Sequence, residues 1–162
     1  KIQCENKHIE FLIKCDQRVK EMVFYSDMSR IRQIIMNLIS NSLKFTSNGF
    51  IKISVFNFLS LSEEETTFLK FRVEDTGIGI SKEDQKKLFK MFGTIKKHQQ
   101  TFNMKGTGLG LTITQKLVNL LGGNIILSSE EGRGTEIEFT VKEERRQRRI
   151  EESKYPEAST IL

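Results

Sequence analysis

Apolar and polar positions change period along this chain, and each change marks an element. Residues 7–13, KHIEFLI, alternate as a half-buried strand would. Asp27 is placed to cap a long helix that runs to about Phe45, where Ile31, Ile34, Ile35, Leu38 and Ile39 supply one apolar face. Asn48–Gly49 breaks that period, and FIKISVF alternates as a strand. The polar stretch LSLSEEETT separates it from a second strand, FLKFRVE, which predicts an antiparallel hairpin. A short helix is expected over SKEDQKKLFKMF, with Ser81 as its cap and acids in its first turn. Gly93–Lys105 keeps no period and reads as a mobile loop.

A second long amphipathic helix, GLGLTITQKLVNLL, should end at Gly122 and Gly123 in a left-handed cap. The strands NIILSS and TEIEFTV, joined by the turn EEGRG, complete the order. Strands linked by tight turns, with helices grouped apart, predict an α+β fold. We expect an α/β sandwich, a mixed sheet covered on one face by helices.

The long helix carries a second stripe. At 100° per residue, Arg30, Gln33, Asn37, Asn41 and Lys44 fall within an arc of roughly 80°. Carboxamide oxygens are neutral ligands suited to Mg²⁺, and a lysine one turn on suits phosphate. A solvated helix face would also be polar, so the stripe alone leaves both readings open.

Two glycine clusters sharpen the choice. In VEDTGIGI, Asp75 ends a strand, so its carboxylate should sit in a pocket wall. An ionised carboxylate only accepts hydrogen bonds, and its natural small-molecule partner is a donor such as the exocyclic amine of adenine. Gly77 and Gly79 would let backbone pass close to a flat ring, or would merely supply a turn. In KGTGLGL, Gly106, Gly108 and Gly110 open the second long helix, whose unpaired N–H groups suit phosphate, with Lys105 adding charge. A dinucleotide fingerprint is excluded because position 82, where its third glycine belongs, is Lys, and no G-x-x-x-x-G-K-[ST] phosphate loop occurs.

Composition narrows the class further. With 162 residues the chain is long enough for one cored domain, expected over 1–142, and 143–162 reads as a charged extension or linker. The net charge of +5 raises nucleic acid as a ligand. The excess, however, sits in KKHQQTFNMK and in the mixed-sign KEERRQRRIEESK, and with two Tyr and no Trp there is little stacking platform. No nucleic-acid partner is expected. Cys4 and Cys15 fit no zinc or disulfide spacing and predict free thiols in a reducing, cytoplasmic setting. No run approaches the roughly 18–20 apolar residues of a membrane helix, so no membrane contact is expected here, although a longer parent could be anchored. The start at Lys1 suggests such a parent.

Taken in order, these stretches resemble the ATP-binding catalytic domain of two-component sensor histidine kinases, within the superfamily of gyrase, heat-shock chaperone and mismatch-repair ATPases. DMSRIRQIIMNLISNSLKFTSNGFIKI is similar to its N box, VEDTGIGI to its first glycine box, KLFKMF to its phenylalanine box, and KGTGLGL with the strands after it to its second glycine box. The resemblance covers about residues 7–142 and implies the Bergerat-type ATP-binding fold, with ATP and Mg²⁺ as cofactors.

It further implies roles by position. Asp75 would accept from the adenine amine, with Gly77, Gly79 and Ile80 shaping the base pocket. Asn41 would coordinate Mg²⁺ and Asn37 would assist it. Lys44 would touch phosphate and Phe45 would lie near the base. Lys105, Gly106, Thr107, Gly108, Leu109, Gly110 and Leu111 would wrap the phosphates, and Thr135 would close the adenine pocket through water. Phe89 and Phe92 would anchor a lid over residues 93–105.

Hydrolysing relatives carry a glutamate where this chain has Asn37, and a neutral amide cannot act as general base. Phosphoryl transfer is therefore favoured over hydrolysis, with Asn37 and Lys44 in the catalytic set. The phenylalanine box lacks its usual proline, the lid is basic, and neither His8 nor His98 sits in a phosphoacceptor motif. The acceptor histidine is thus expected on a dimerisation helix domain of a homodimeric parent, with a response regulator or receiver domain downstream and the isolated fragment monomeric. The alternative is a catalytically silent ATP-sensing or scaffold module.

Overall fold

The computed structural model describes Cys4, residues 7–60 (58–60 as backbone), 66–86, Leu88 and 110–144. Five strands form one sheet in the order β1-β2-β3-β5-β4, namely β1 Ile9–Cys15, β2 Gly49–Ser60, β3 Thr66–Asp75, β4 Ile125–Glu130 and β5 Gly134–Lys142. β1 runs parallel to β2, whereas β2–β3, β3–β5 and β4–β5 are antiparallel. The helices are α1 Gln17–Glu21, α2 Met28–Phe45, α3 Lys82–Gln85 and α4 Gly110–Leu120. A parallel pair needs a crossover, and α1 and α2 provide it.

The first strand lies two residues later than the alternation suggested, because Lys7 and His8 form a turn, with φ +55° at His8. α1 was not legible as a helix: it has one turn, no buried residue, and begins where Asp16 accepts from Arg18 N–H. β2 runs four residues beyond FIKISVF, since its pairing with β3 continues to Ser60↔Thr66. The helix expected over 81–92 is present as Lys82–Gln85, capped by Ser81, and most of its remainder lies outside the described residues. So does nearly all of the 143–162 extension.

α2 forms where its period demanded. Asp27 Oδ1 accepts from Arg30 N–H at 3.0 Å, a cap of about 1 kcal/mol, and Ile31, Ile34 and Leu38 bury one face. It stops at Thr46, after which Asn48 and Gly49, with φ +101°, reverse the chain. α4 ends as expected, with Gly122 at φ +66° and Gly123 N–H bonded to Val118 O.

Register decides what meets what on the helix side of the sheet. One row is Ile53–Val73–Ile137–Leu127, and the next is Val55–Phe71–Phe139–Ile125. Phe71 and Phe139 stack with centroids 4.8 Å apart. These rows and the buried faces of α2 and α4 make the main core. The opposite face is charged: Lys52 pairs with Glu74, and Arg72 Nε donates to Glu138 at 2.8 Å. One face covered and one face wet is the expected sandwich.

Candidate nucleotide site

The apolar rows end at Ile51–Asp75–Thr135–Ser129, where hydrophobic side chains give way to polar ones. Asp75 closes β3 with only 8% of its surface exposed. Its Oδ1 accepts from Gly77 N–H at 3.0 Å and Thr135 N–H at 3.2 Å. Its Oδ2 accepts from Ser42 Oγ at 2.7 Å. Burial pushes the carboxyl above the ordinary aspartate value, while the Ser42 hydroxyl and the two amides pull it back.

Gly77 and Gly79 serve the protein's own backbone. A Cβ on Gly77 would lie 2.5 Å from Phe45 O, and one on Gly79 would lie 1.9 Å from Glu130 O. The loop is thus clamped between the end of α2 and the β4–β5 turn. Ile78 N–H bonds to Phe45 O at 3.1 Å and Gly132 N–H to Ile78 O at 2.7 Å. Gln85 Nε2 donates to both Ile80 O and Ser129 O at 2.8 Å, fixing half-buried Ile80 against β4. Since Gly79 also holds φ +65°, Gly79→Ala is expected to destabilise the domain by about 2–4 kcal/mol. A urea midpoint equal to that of the parent chain would refute this account of the clamp.

The polar stripe of α2 divides by task. Asn37 Nδ2 donates to the buried Thr114 Oγ1 at 2.6 Å, and its Oδ1 fills the space a Cβ on Gly110 would need. Asn37 therefore joins α2 to the start of α4. Asn41, one turn on, is half-buried, and no hydrogen bond to its carboxamide occurs among the described residues. Lys44 Nζ lies 5.2 Å from the centre of the half-buried Phe45 ring. Thr135 Oγ1 is 3.0 Å from Ser129 Oγ, and since Ser129 Oγ donates to Gly134 O, Thr135 is the donor of that pair. Leu111 is half-buried against the main core. Phe89, Phe92, Lys105, Gly106, Thr107, Gly108 and Leu109 lie outside the described residues.

The structure thus brings Ser42 of α2 and the start of β5 to the carboxylate that ends β3, while Asn37 of the same helix meets Gly110 and Thr114 of α4. Ser42, Thr114 and Ser129 escaped the motif reading. For Ser42 there was a signal: at 100° per residue it falls between Ile31 and Ile35, a hydroxyl in the middle of an apolar face.

The donor set fits a nucleotide and its cation. Asp75 is a buried acceptor, and the half-buried Asn41, next in sequence to the Ser42 that bonds Asp75, offers a neutral carboxamide oxygen on α2. Among the described residues no group of three or more His, Cys, Asp or Glu could hold a metal alone. A divalent ion here would take most of its ligands from phosphate and water, as Mg²⁺ usually does. Among the described residues no helix is long and apolar enough to cross a membrane.

Residues 26–145 match the family described as histidine kinase-, DNA gyrase B-, and HSP90-like ATPase. The chain is 36% identical over 136 residues to the virulence sensor protein BvgS of Bordetella bronchiseptica, covering 84% of this chain and 11% of that one. It is 39% identical over 137 residues to hybrid signal transduction histidine kinase B of Dictyostelium discoideum, covering 83% and 7%. The chain thus spans about a tenth or less of these two relatives. Full-length ShkA, solved in complex with AMPPNP, superimposes with a TM-score of 0.70 at 26% identity, over 86% of this chain and 27% of that one.

Proposed function

Because the chain belongs to the histidine kinase-, DNA gyrase B-, and HSP90-like ATPase family, we propose that it is the ATP-binding catalytic domain of a sensor histidine kinase. It moves the γ-phosphoryl of Mg·ATP to a histidine held on a dimerisation helix domain of a longer, homodimeric parent. A response regulator or receiver domain takes the phosphoryl onward, and the domain works in the cytoplasm, whether or not the parent is anchored in a membrane.

The observation that carries this reading is the buried Asp75 carboxylate at the head of the sheet. An acceptor-only group in that position suits the adenine amine. Asn41 offers its oxygen to Mg²⁺, Lys44 supplies a cation for phosphate, and the start of α4 adds N–H groups. Catalysis is then positioning and charge neutralisation. Asn37, a neutral amide bonded to Thr114, provides no general base for water. The bond from the γ-phosphorus to ADP breaks only when the imidazole nitrogen arrives to form the new one.

The test is incubation of the chain with γ-labelled Mg·ATP and the acceptor-helix domain of its parent. Acid-labile, base-stable label on the acceptor is expected. Calorimetric ATP binding without any label would replace this reading with a silent ATP-sensing or scaffold module.

A further inference from the structure

An ionised carboxylate has about four acceptor directions, two on each oxygen. Asp75 Oδ1 uses both of its own, on Gly77 N–H and Thr135 N–H. Oδ2 uses one, on Ser42 Oγ at 2.7 Å. Among the described residues no donor takes the remaining direction, and it belongs to Oδ2.

We propose that Ser42 is a positioning residue for base recognition: its hydroxyl anchors Oδ2 so that Asp75 presents a single acceptor direction, sized for one N–H of a 6-amino purine. This inference rests on Asp75 reading the base, as proposed above. Three features of Ser42 support it. The residue is 5% exposed, in the last turn of α2, so it owes nothing to solvent. A helical serine would ordinarily bond back to the carbonyl one turn earlier, yet this one reaches across to β3. Its own carbonyl receives Thr46 N–H at 2.9 Å, which fixes the backbone from which the hydroxyl points.

Ser42 is also the one side chain recorded, among the described residues, as donating to this carboxylate; the other two donors are backbone amides. Thr46, one turn on, is fully buried, and among the described residues its Oγ1 has no partner, so it does not share the task. Without Ser42 both remaining anchors hold Oδ1, and the broad torsion about Cβ–Cγ lets Oδ2 swing and take water. Discrimination between bases should then fall even though the fold stands.

The experiment compares ATP with purine riboside triphosphate, which lacks the 6-amine, by calorimetric titration in Mg²⁺. The chain is tested as it stands and as Ser42→Ala, Ser42→Cys and Ser42→Thr, with thermal midpoints alongside. The parent chain should prefer ATP by roughly tenfold or more. Ser42→Ala should lose about tenfold of that preference, through ATP alone, with the affinity for the analogue unchanged. Ser42→Cys, which keeps the packing but donates weakly, should fall between, and Ser42→Thr should restore the preference.

A preference kept intact in Ser42→Ala or Ser42→Cys overturns the role of Ser42 while leaving the adenine pocket standing. Equal loss of both ligands marks Ser42 as structural support only and likewise overturns it. Absence of any preference, or of binding, in the parent chain overturns the adenine reading itself.

Discussion

Asp75→Asn is expected to weaken Mg·ATP binding roughly several-hundredfold, by about 3–4 kcal/mol, while the domain stays folded. An asparagine at 75 can keep the surrounding bonds. Its oxygen can accept from Gly77 and Thr135, and its amide can turn one N–H toward Ser42 Oγ, matching the present partners. The second N–H then points where the carboxylate had its open acceptor, and it meets the adenine amine donor to donor. The loss of a charge-assisted bond and the desolvation of two unpaired donors add. Inosine triphosphate, with an oxygen in place of the amine, should lose less than ATP or gain. Equal affinities of parent and variant for ATP would remove Asp75 from the base pocket.

The same substitution separates binding from stability. Burial raises the Asp75 carboxyl above its ordinary value, so the folded state holds that proton more tightly than the unfolded chain does. Stability from this group is therefore full below the unfolded value and declines as pH rises through the folded one. Asn carries no such penalty, so at neutral pH the variant should be no less stable than the parent in urea. Binding runs the other way. ATP affinity of the parent should fall on acidification, beginning above the ordinary aspartate range, whereas the weak affinity of the variant should not follow that limb.

The second large effect is at Asn41. Asn41→Ala should lower phosphoryl transfer to the acceptor histidine by about 10²–10³, as removal of one group that stabilises transition-state charge does. The carboxamide has no hydrogen bond among the described residues, so its loss should leave the fold unmoved. It should also erase the difference between ATP affinities measured with Mg²⁺ and with chelator, leaving the chelator value unchanged. Retention of that difference would assign the metal ligand elsewhere.

The motif order named the family, and the helical period of α2 placed its ends, because capping and amphipathicity act within a turn or two of the chain. Asp27 caps where expected, Gly122 takes the left-handed conformation, and Asp75 does end its strand. α1 escaped because a single exposed turn leaves no apolar period. The first strand was placed two residues early because alternation cannot tell a paired residue from the turn that precedes it.

Local pattern was enough to place the alternation of strands, the two long helices and a carboxylate set at a strand end against glycine. Which groups that carboxylate meets was set by contacts far apart in the chain. Ser42 lies 33 residues from Asp75, and Thr135 lies 60 residues away. Asn37 meets Thr114 across 77 residues, and Gly79 meets the backbone of Glu130. Such meetings depend on sheet register and on the close approach of α2 to α4. Slipping a strand by one residue would send every side chain to the other face with its local pattern unchanged. Local preference therefore marks where an acceptor can stand, and long-range packing alone decides which donors reach it.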